Sequence, residues 1–441
     1  LNLASAFRYH WNVHLIGPTV LRAVRWREEL FSAAPKGWLM EHLAPPLRIN
    51  PRMHELVSRH YLRGRYAHLR DKVAWVTSGA PSEFLRALGF YVLYPENHAA
   101  LCGTARRAVE LCGYAEDNGY SRDLCSYART DLGAFLAGVT PVGRLPKPDL
   151  LMACTNICQT VLCWYRVLAH YLNIPLIVID TPFIYEHAEE HALRYVQRQL
   201  EAAVPVAERV AGRALDERRL RRITHLSKEA CELWMQVLER ARHRPAPLSV
   251  FDQFLQMAPV VELRGETATV DFYAALLREL DERIAHGVGA VRHEKARLLW
   301  DNLPVWYRMR SLAELLGKRG AALVASTYTN AWAELAEWID PENPFESAAR
   351  VYLHPILNRG TGDKLKTMQA MIEKYELDGV ILHSDRSCKP YSIGQIDQRE
   401  QLFHACHVPA LLLDADHNDE RSFSEEQVST RLEAFLEMLG V

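Results

Sequence analysis

The sequence predicts an α/β protein: two doubly wound, Rossmann/flavodoxin-like parallel-sheet lobes, with N-terminal and connecting helical segments. Three observations carry that prediction. Short unbroken apolar runs, such as Leu150-Leu151-Met152-Ala153 and Val380-Ile381-Leu382, have the pattern of strands covered on both faces. Segments of helical spacing separate the runs, so successive strands are joined by helices and run parallel. The runs also form two groups on either side of a long Arg/Glu-rich stretch, and 441 residues exceed what one hydrophobic core usually holds.

Residues 1–70 read as a helical region, with Val20–Phe31 and Met53–Arg70 separated by breaks at Pro35 and Pro45-Pro46. No catalytic motif stands there, and the region reads as a cap or a subunit-contact surface. The first lobe, 71–187, opens with a strand at Val73–Val76, then the turn Thr77-Ser78-Gly79-Ala80-Pro81-Ser82-Glu83, a helix Phe84–Leu88 and a strand Tyr91–Tyr94. Gly79 permits a sharp turn, and Ser82 or Ser78 can cap the helix. The turn is not the G-x-G-x-x-G fingerprint, so no dinucleotide site is read from it. A broken helical stretch from Ala100 to Leu136 follows, then the run ending at Cys154, a helix Val161–Leu172 and a strand within Ile174–Pro182. Residues 188–290 form a helical connector, with His191–Ala203, Leu220–Arg240 and Asp271–His286 as its helices. The second lobe, 291–441, has strands at Ala296–Trp300, Ala321–Ala325, Gly379–Leu382 and Ala410–Leu413. Its helices are Tyr307–Lys318, Ala331–Ile339, Lys364–Tyr375 and the closing Glu425–Leu439.

Composition excludes several function classes. Lys and Arg total 52 against 54 Asp and Glu, a balance that gives no electrostatic case for nucleic acid or an acidic membrane surface. No apolar run approaches the roughly 18–20 residues that cross a bilayer. Leu1 to Trp26 carries Arg and His through its apolar positions, unlike a signal peptide, so the expected compartment is the cytoplasm. That compartment keeps thiols reduced, which argues against a disulfide framework for the nine cysteines.

Two cysteine-bearing segments leave strand ends, where ligands bind in open α/β sheets. They are Cys154-Thr155-Asn156-Ile157-Cys158 and, beyond Leu382, His383-Ser384-Asp385-Arg386-Ser387-Cys388-Lys389-Pro390-Tyr391-Ser392. Cys125 lies upstream in a Ser/Tyr/Arg-rich segment able to reach the same cleft. Structural zinc uses two clusters of local cysteine pairs, and only one close set, Cys154, Cys158 and Cys163, exists here. Three thiolates around an iron–sulfur cube would leave one iron open for Lewis-acid or electron-transfer chemistry. Buried, chemically silent cysteines are the alternative on spacing alone.

Several segments resemble motifs of the benzoyl-CoA reductase / 2-hydroxyacyl-CoA dehydratase family. They are Ser78-Gly79-Ala80-Pro81-Ser82-Glu83, Cys125-Ser126-Tyr127-Ala128-Arg129, Thr155-Asn156-Ile157-Cys158-Gln159-Thr160 with Trp164-Tyr165, Ile174–Pro182, Arg386-Ser387-Cys388-Lys389-Pro390-Tyr391-Ser392, Asp414-Ala415-Asp416-His417-Asn418-Asp419 and Thr430-Arg431-Leu432-Glu433-Ala434-Phe435. They span roughly 70–441 in family order, and the segment Arg386-Ser387-Cys388-Lys389 is the most specific. The resemblance implies a catalytic subunit with one [4Fe–4S] cluster, three cysteine ligands and one open iron site. The ligands map onto Cys125, Cys158 and Cys388, with Cys154 as contender for the middle place. It further implies an acyl-CoA substrate, a homologous second catalytic subunit, and an iron–sulfur activator protein that hydrolyses ATP and donates electrons. This chain has no G-x-x-x-x-G-K-[ST] loop, in keeping with an ATPase that resides elsewhere.

Two departures from the dehydratase pattern, Gln159 after the middle cysteine and Lys389-Pro390-Tyr391-Ser392-Ile393-Gly394-Gln395 after the third, favour the reductase branch. The expected activity is then ATP-dependent (class I) benzoyl-CoA reduction, with low-potential electrons entering an aromatic acyl thioester to give a cyclic diene. Radical elimination of water from a 2-hydroxyacyl-CoA is the alternative, and a double-cubane-cluster reductase of small molecules is a third reading. His383, Ser387 and Lys389 are candidate catalytic residues: an imidazole as a side-chain type can exchange a proton near neutral pH, and the other two flank the third ligand. Ser78, Asn156, Gln159 and Ser392 are candidate substrate contacts. Glu83 is read as a helix-capping residue or a CoA contact, and Asp414 and Asp416 as capping or domain-contact residues. A two-lobed binding protein with incidental cysteines is the reading outside the family, and a colourless, iron-free protein after anaerobic purification would favour it.

Overall fold

A computed structural model describes residues 3–32 and 39–441, so the break at Pro35 lies outside the described residues. Two separate parallel sheets of four strands organise the chain. The first contains β1 (Val73–Val76), β2 (Tyr91–Leu93), β3 (Leu150–Cys154) and β4 (Leu176–Ile179), in the order β2-β1-β3-β4. The second contains β5 (Ala296–Asp301), β6 (Ala321–Ser326), β7 (Gly379–Asp385) and β8 (Ala410–Ala415), in the order β6-β5-β7-β8. The two orders are the same permutation. Every strand pairing is parallel, which confirms the expected doubly wound architecture.

The inner strands explain themselves by composition. All residues of β1, β3 and β5 are buried, because helices cover both faces of a sheet built from crossover connections. Edge strand β4 alternates half-buried with buried positions, and edge strand β8 mixes half-buried and buried positions with one exposed position. In each sheet the chain reverses its direction of winding between the first and third strands. Loops after β1 and β3, and after β5 and β7, therefore open onto a crevice at the carboxyl edge.

Several elements depart from the sequence reading. β7 runs to Asp385, three residues past the expected end, because β8 continues to pair with it as far as Ala415. The stretch expected as one helix from Ala331 is two, Thr327–Ala333 and Leu335–Trp338. Helices Pro344–Leu353 and Gln395–Cys406 were not anticipated, although Pro344 occupies the first-turn position that proline favours. Ser82 stands at the N-cap of helix Glu83–Ala87 but makes no capping bond; its hydroxyl is instead 2.8 Å from the Tyr94 hydroxyl. The N-cap position being Ser82, Ser78 lies too far upstream to cap that helix.

Helices from the connector bind the lobes together. Arg264, fully buried, bonds Glu83 Oε1 at 2.9 Å and the Ala80 carbonyl at 3.2 Å. Trp234 donates its indole N–H to the Thr329 carbonyl at 3.0 Å. Among the described residues no helix is long and apolar enough to cross a membrane.

Candidate active site

Three of the nine cysteines line one cavity of about 140 Å³ between the lobes: Cys125, Cys158 and Cys388. Each occupies the same local position, the residue immediately before a helix. Cys125 precedes Ser126–Ala137, Cys158 precedes Gln159–Leu172 and Cys388 precedes the single turn Lys389–Ser392. The Cys158 sulfur accepts the Val161 N–H at 3.4 Å, as a serine or aspartate would at an N-cap. Unpaired N–H groups at helix starts favour negative charge on sulfur.

Burial works the other way. It pushes the Cys158 thiol up to about 12, with Cys125 adding to the rise. Cys388 is raised well above its ordinary value by burial, then by Asp385 and the other two cysteines. Three thiolates cannot share this cavity unless a cation shares it with them. A tri-thiolate donor set, half-buried at helix starts and opening on an apolar cavity, fits an iron–sulfur group with one side left free. Cys154 is elsewhere: it is fully buried, 3.1 Å from Thr77 Oγ1 and hydrogen-bonded to Asn156, and does not reach the cavity. Cys163 is exposed on the helix that Cys158 begins.

The other anticipated residues separate into three groups. Ser78 lines the cavity, at the exit of β1. Ser387, Asn156 and Ser392 support the loops. Ser387 Oγ donates to Asp416 at 2.6 Å and accepts the Ser126 N–H at 3.1 Å; Asn156 donates to the Tyr352 carbonyl, and Ser392 to the Asp385 carbonyl. Gln159, Lys389 and His383 do not line the cavity. Gln159 and Lys389 are exposed, and the Lys389 ammonium folds back onto the Arg386 carbonyl. His383 is fully buried inside the second lobe, with Nδ1 2.7 Å from the Leu303 carbonyl and Nε2 without a partner.

Two features were missed. The first is Glu96, a cavity-lining carboxyl at the exit of β2. Burial raises it to about 7, although its own backbone, the Ser78 N–H at 3.1 Å and the Tyr165 hydroxyl at 3.2 Å all favour the charged form. Pro95 at the first helical position, directly after the β2 run, was the available signal for a strand exit there.

The second is a buried latch across the lobes. His417 stands 2.7 Å from Asp385, 2.8 Å from Ser126 Oγ and 4.0 Å from the Cys125 sulfur. Burial alone would lower its pKa, but Asp385 and Asp416 override that and raise it well above the ordinary value. Its carboxylate partner Asp385 also accepts the N–H groups of Ser387 and Cys388, so one side chain fixes the turn that carries the third cysteine. Asp385, Asp416 and His417 offer ligand atoms within 4.8 Å of one another. Their bonds to each other and to Ser387 and Ser126 make them an ion-paired latch. Arg129, on the Cys125 helix, adds a second clasp through Asp419 at 2.8 Å.

The family model described as 2-hydroxyglutaryl-CoA dehydratase, D-component, matches residues 77–439. The (R)-2-hydroxyisocaproyl-CoA dehydratase alpha subunit of Clostridioides difficile is 32% identical over 374 residues, covering 83% of this chain and 90% of that protein. The (R)-phenyllactyl-CoA dehydratase alpha subunit of Clostridium sporogenes is 30% identical over 381 residues, covering 84% and 90%. A benzoyl-CoA reductase subunit of Thauera aromatica is 27% identical over 401 residues, covering 87% and 93%. With nearly all of both lobes matched in order, the chain belongs to the 2-hydroxyglutaryl-CoA dehydratase D-component family, the family of CoA-thioester dehydratases and benzoyl-CoA reductases.

Proposed function

We propose that this chain is a catalytic subunit that acts on an acyl-CoA thioester by one-electron chemistry, and that its reaction is loss of water from a 2-hydroxyacyl-CoA. The observation that carries the reading is the meeting of Cys125, Cys158 and Cys388 on one cavity, each at a helix start. These three would hold a [4Fe–4S] cluster, which when bound would supply low-potential electrons and Lewis-acid chemistry.

The chain's own residues do the rest. Apolar walls such as Ile157, Trp332 and Leu357 exclude water from the thioester. Glu96, poised near neutrality, accepts or returns a proton inside the cavity, and the Ser78 N–H orients its carboxyl. Elimination converts a 2-hydroxyacyl-CoA into a 2-enoyl-CoA and water, so it consumes no net electrons. One acid–base group and one recycled electron suffice.

The sequence-level preference for ring reduction rested on Gln159 and the stretch from Lys389 to Gln395. Gln159 and Lys389 are exposed and do not line the cavity, which weakens that preference. Tyr391 keeps the benzoyl-CoA reductase reading as a second one, since it belongs to the same stretch, is buried and lines the cavity. That reaction takes up two electrons and two protons per ring. The relatives are each named as one subunit of a larger enzyme, which supports a second, partner subunit here, and an ATP-hydrolysing iron–sulfur activator is the proposed electron donor. An anaerobic assay with activator and ATP, offered a 2-hydroxyacyl-CoA and benzoyl-CoA in parallel, decides between them. Enoyl-CoA formation without net electron uptake supports dehydration; ring reduction alone overturns it.

A further inference from the structure

Behind the cysteine cavity lies a second, larger chamber of about 390 Å³, and the Tyr328 ring lines both. Helices Asn50–Ala67, Pro95–Thr104 and Val250–Gln256 form its walls. Its inner end is aromatic: Phe254 stands 6.3 Å from both Trp306 and Tyr328, and Met53 and Met257 pack around them. Soft thioethers and aromatic faces grip flat or branched apolar groups. The Trp306 indole also bonds the Tyr127 hydroxyl, which ties this wall to the cavity next door.

Charge is distributed unusually for a site that is to take a CoA ester. Among the described residues, neither chamber is lined by a lysine or an arginine. Each instead has a buried carboxyl on its wall: Glu96 in one and Glu262 in the other, the latter bonded by the Tyr61 hydroxyl at 2.8 Å. Glu262 keeps one oxygen without a partner, and burial raises it to about 7 as well. The larger chamber also has His54 on its lining, but its Nδ1 is already 3.2 Å from the Glu28 carboxylate. A carboxylate brought into either chamber would lose its hydration, meet no lysine or arginine and face a buried acid. The charged nucleotide end of a CoA ester is thereby kept outside, and only its uncharged arm and acyl group have a place within.

Building on the proposed action on an acyl-CoA, we propose that the acyl group is uncharged and apolar, an aromatic or branched aliphatic chain, and that dicarboxylic acyl groups are excluded. The test is a binding titration of the full chain, purified anaerobically with its iron, against phenylacetyl-CoA and glutaryl-CoA. Neither ester has a 2-hydroxyl group to lose, and the CoA moiety is common to both, so the ratio isolates the acyl end. Phenylacetyl-CoA is expected to bind at least ~100-fold more tightly. Equal or tighter binding of glutaryl-CoA overturns the inference and leaves the thioester reading standing. Binding of neither ester, with free CoA equally inert, overturns the thioester reading and this inference with it.

Discussion

The two lobes share one strand permutation, β2-β1-β3-β4 against β6-β5-β7-β8, yet they bring different chemistry to the cavity between them. In each, the third strand of the lobe runs straight into a cysteine before a helix, Cys158 after β3 and Cys388 after β7. The connections differ. Between β2 and β3 the first lobe carries Glu96 and Cys125; between β6 and β7 the second carries only wall, from Tyr328 through Trp332 and Leu335 to Leu357. The first lobe thus supplies two thiols, the titrating acid and part of the apolar lining, and the second supplies one thiol, the rest of that lining and the latch that grips Cys125 from across the cleft. A duplicated scaffold sets where groups can stand; the crossover segments decide which groups they are.

The sharpest way to break that comparison is to remove thiols one at a time. Cys158→Ala and Cys388→Ala are expected to be equally severe, each losing nearly all bound iron and all turnover, and Cys125→Ala likewise. Cys154→Ala should keep its iron, because that sulfur does not reach the cavity; iron and acid-labile sulfide on anaerobically purified variants read this directly. Next in size is Glu96→Gln, which should lower turnover roughly 100-fold or more while iron content stays whole. It also carries a stability signature. Glu96 is raised from 4.5 to about 7 in the folded chain, so between those values the unfolded state has already released its proton. Wild-type stability therefore falls as pH rises through that window, and the glutamine variant should lose part of the slope, by a few degrees of melting temperature.

A further substitution tests the latch. Asp385→Asn leaves His417 buried without its carboxylate, at a cost of about 3 kcal/mol. Melting temperature should drop accordingly, and the loss should be shared by both lobes if the latch joins them. Smallest of all should be Lys389→Ala and Gln159→Ala, both exposed, with changes within about 0.5 kcal/mol in stability and turnover near that of the wild type. A large loss of activity in either would return the reductase-like stretch to prominence.

Much of the fold was legible because parallel strands covered on both sides must be continuous apolar runs, and Leu150–Ala153 and Val380–Leu382 are that. Strand ends were less legible. Ser384 and Asp385 are polar, and only pairing with β8 and the bond to His417 hold Asp385 in a buried strand. At the site, Cys158 and Cys388 could be read from their strand exits. Glu96 could not, since an acid in the first turn of a helix ordinarily complements the dipole from solvent. Its burial depends on Tyr165 and the β1 loop, both brought in by the tertiary fold. His383 attracted attention as the histidine nearest the third cysteine in the chain, whereas the imidazole that touches the site comes from the end of the neighbouring strand.

The dispersal of the three thiols has a consequence for biosynthesis. A ribosome that has released the first lobe has released Cys125 and Cys158 only; Cys388 emerges after the connector and most of the second sheet have been made. A nascent first lobe therefore holds two of the three sulfurs, and the three-thiol seat exists only after the second lobe has docked. The latch of Asp385, Asp416 and His417 forms in the same event, so a group that needs all three sulfurs, the proposed cluster included, would enter a docked, two-lobed chain.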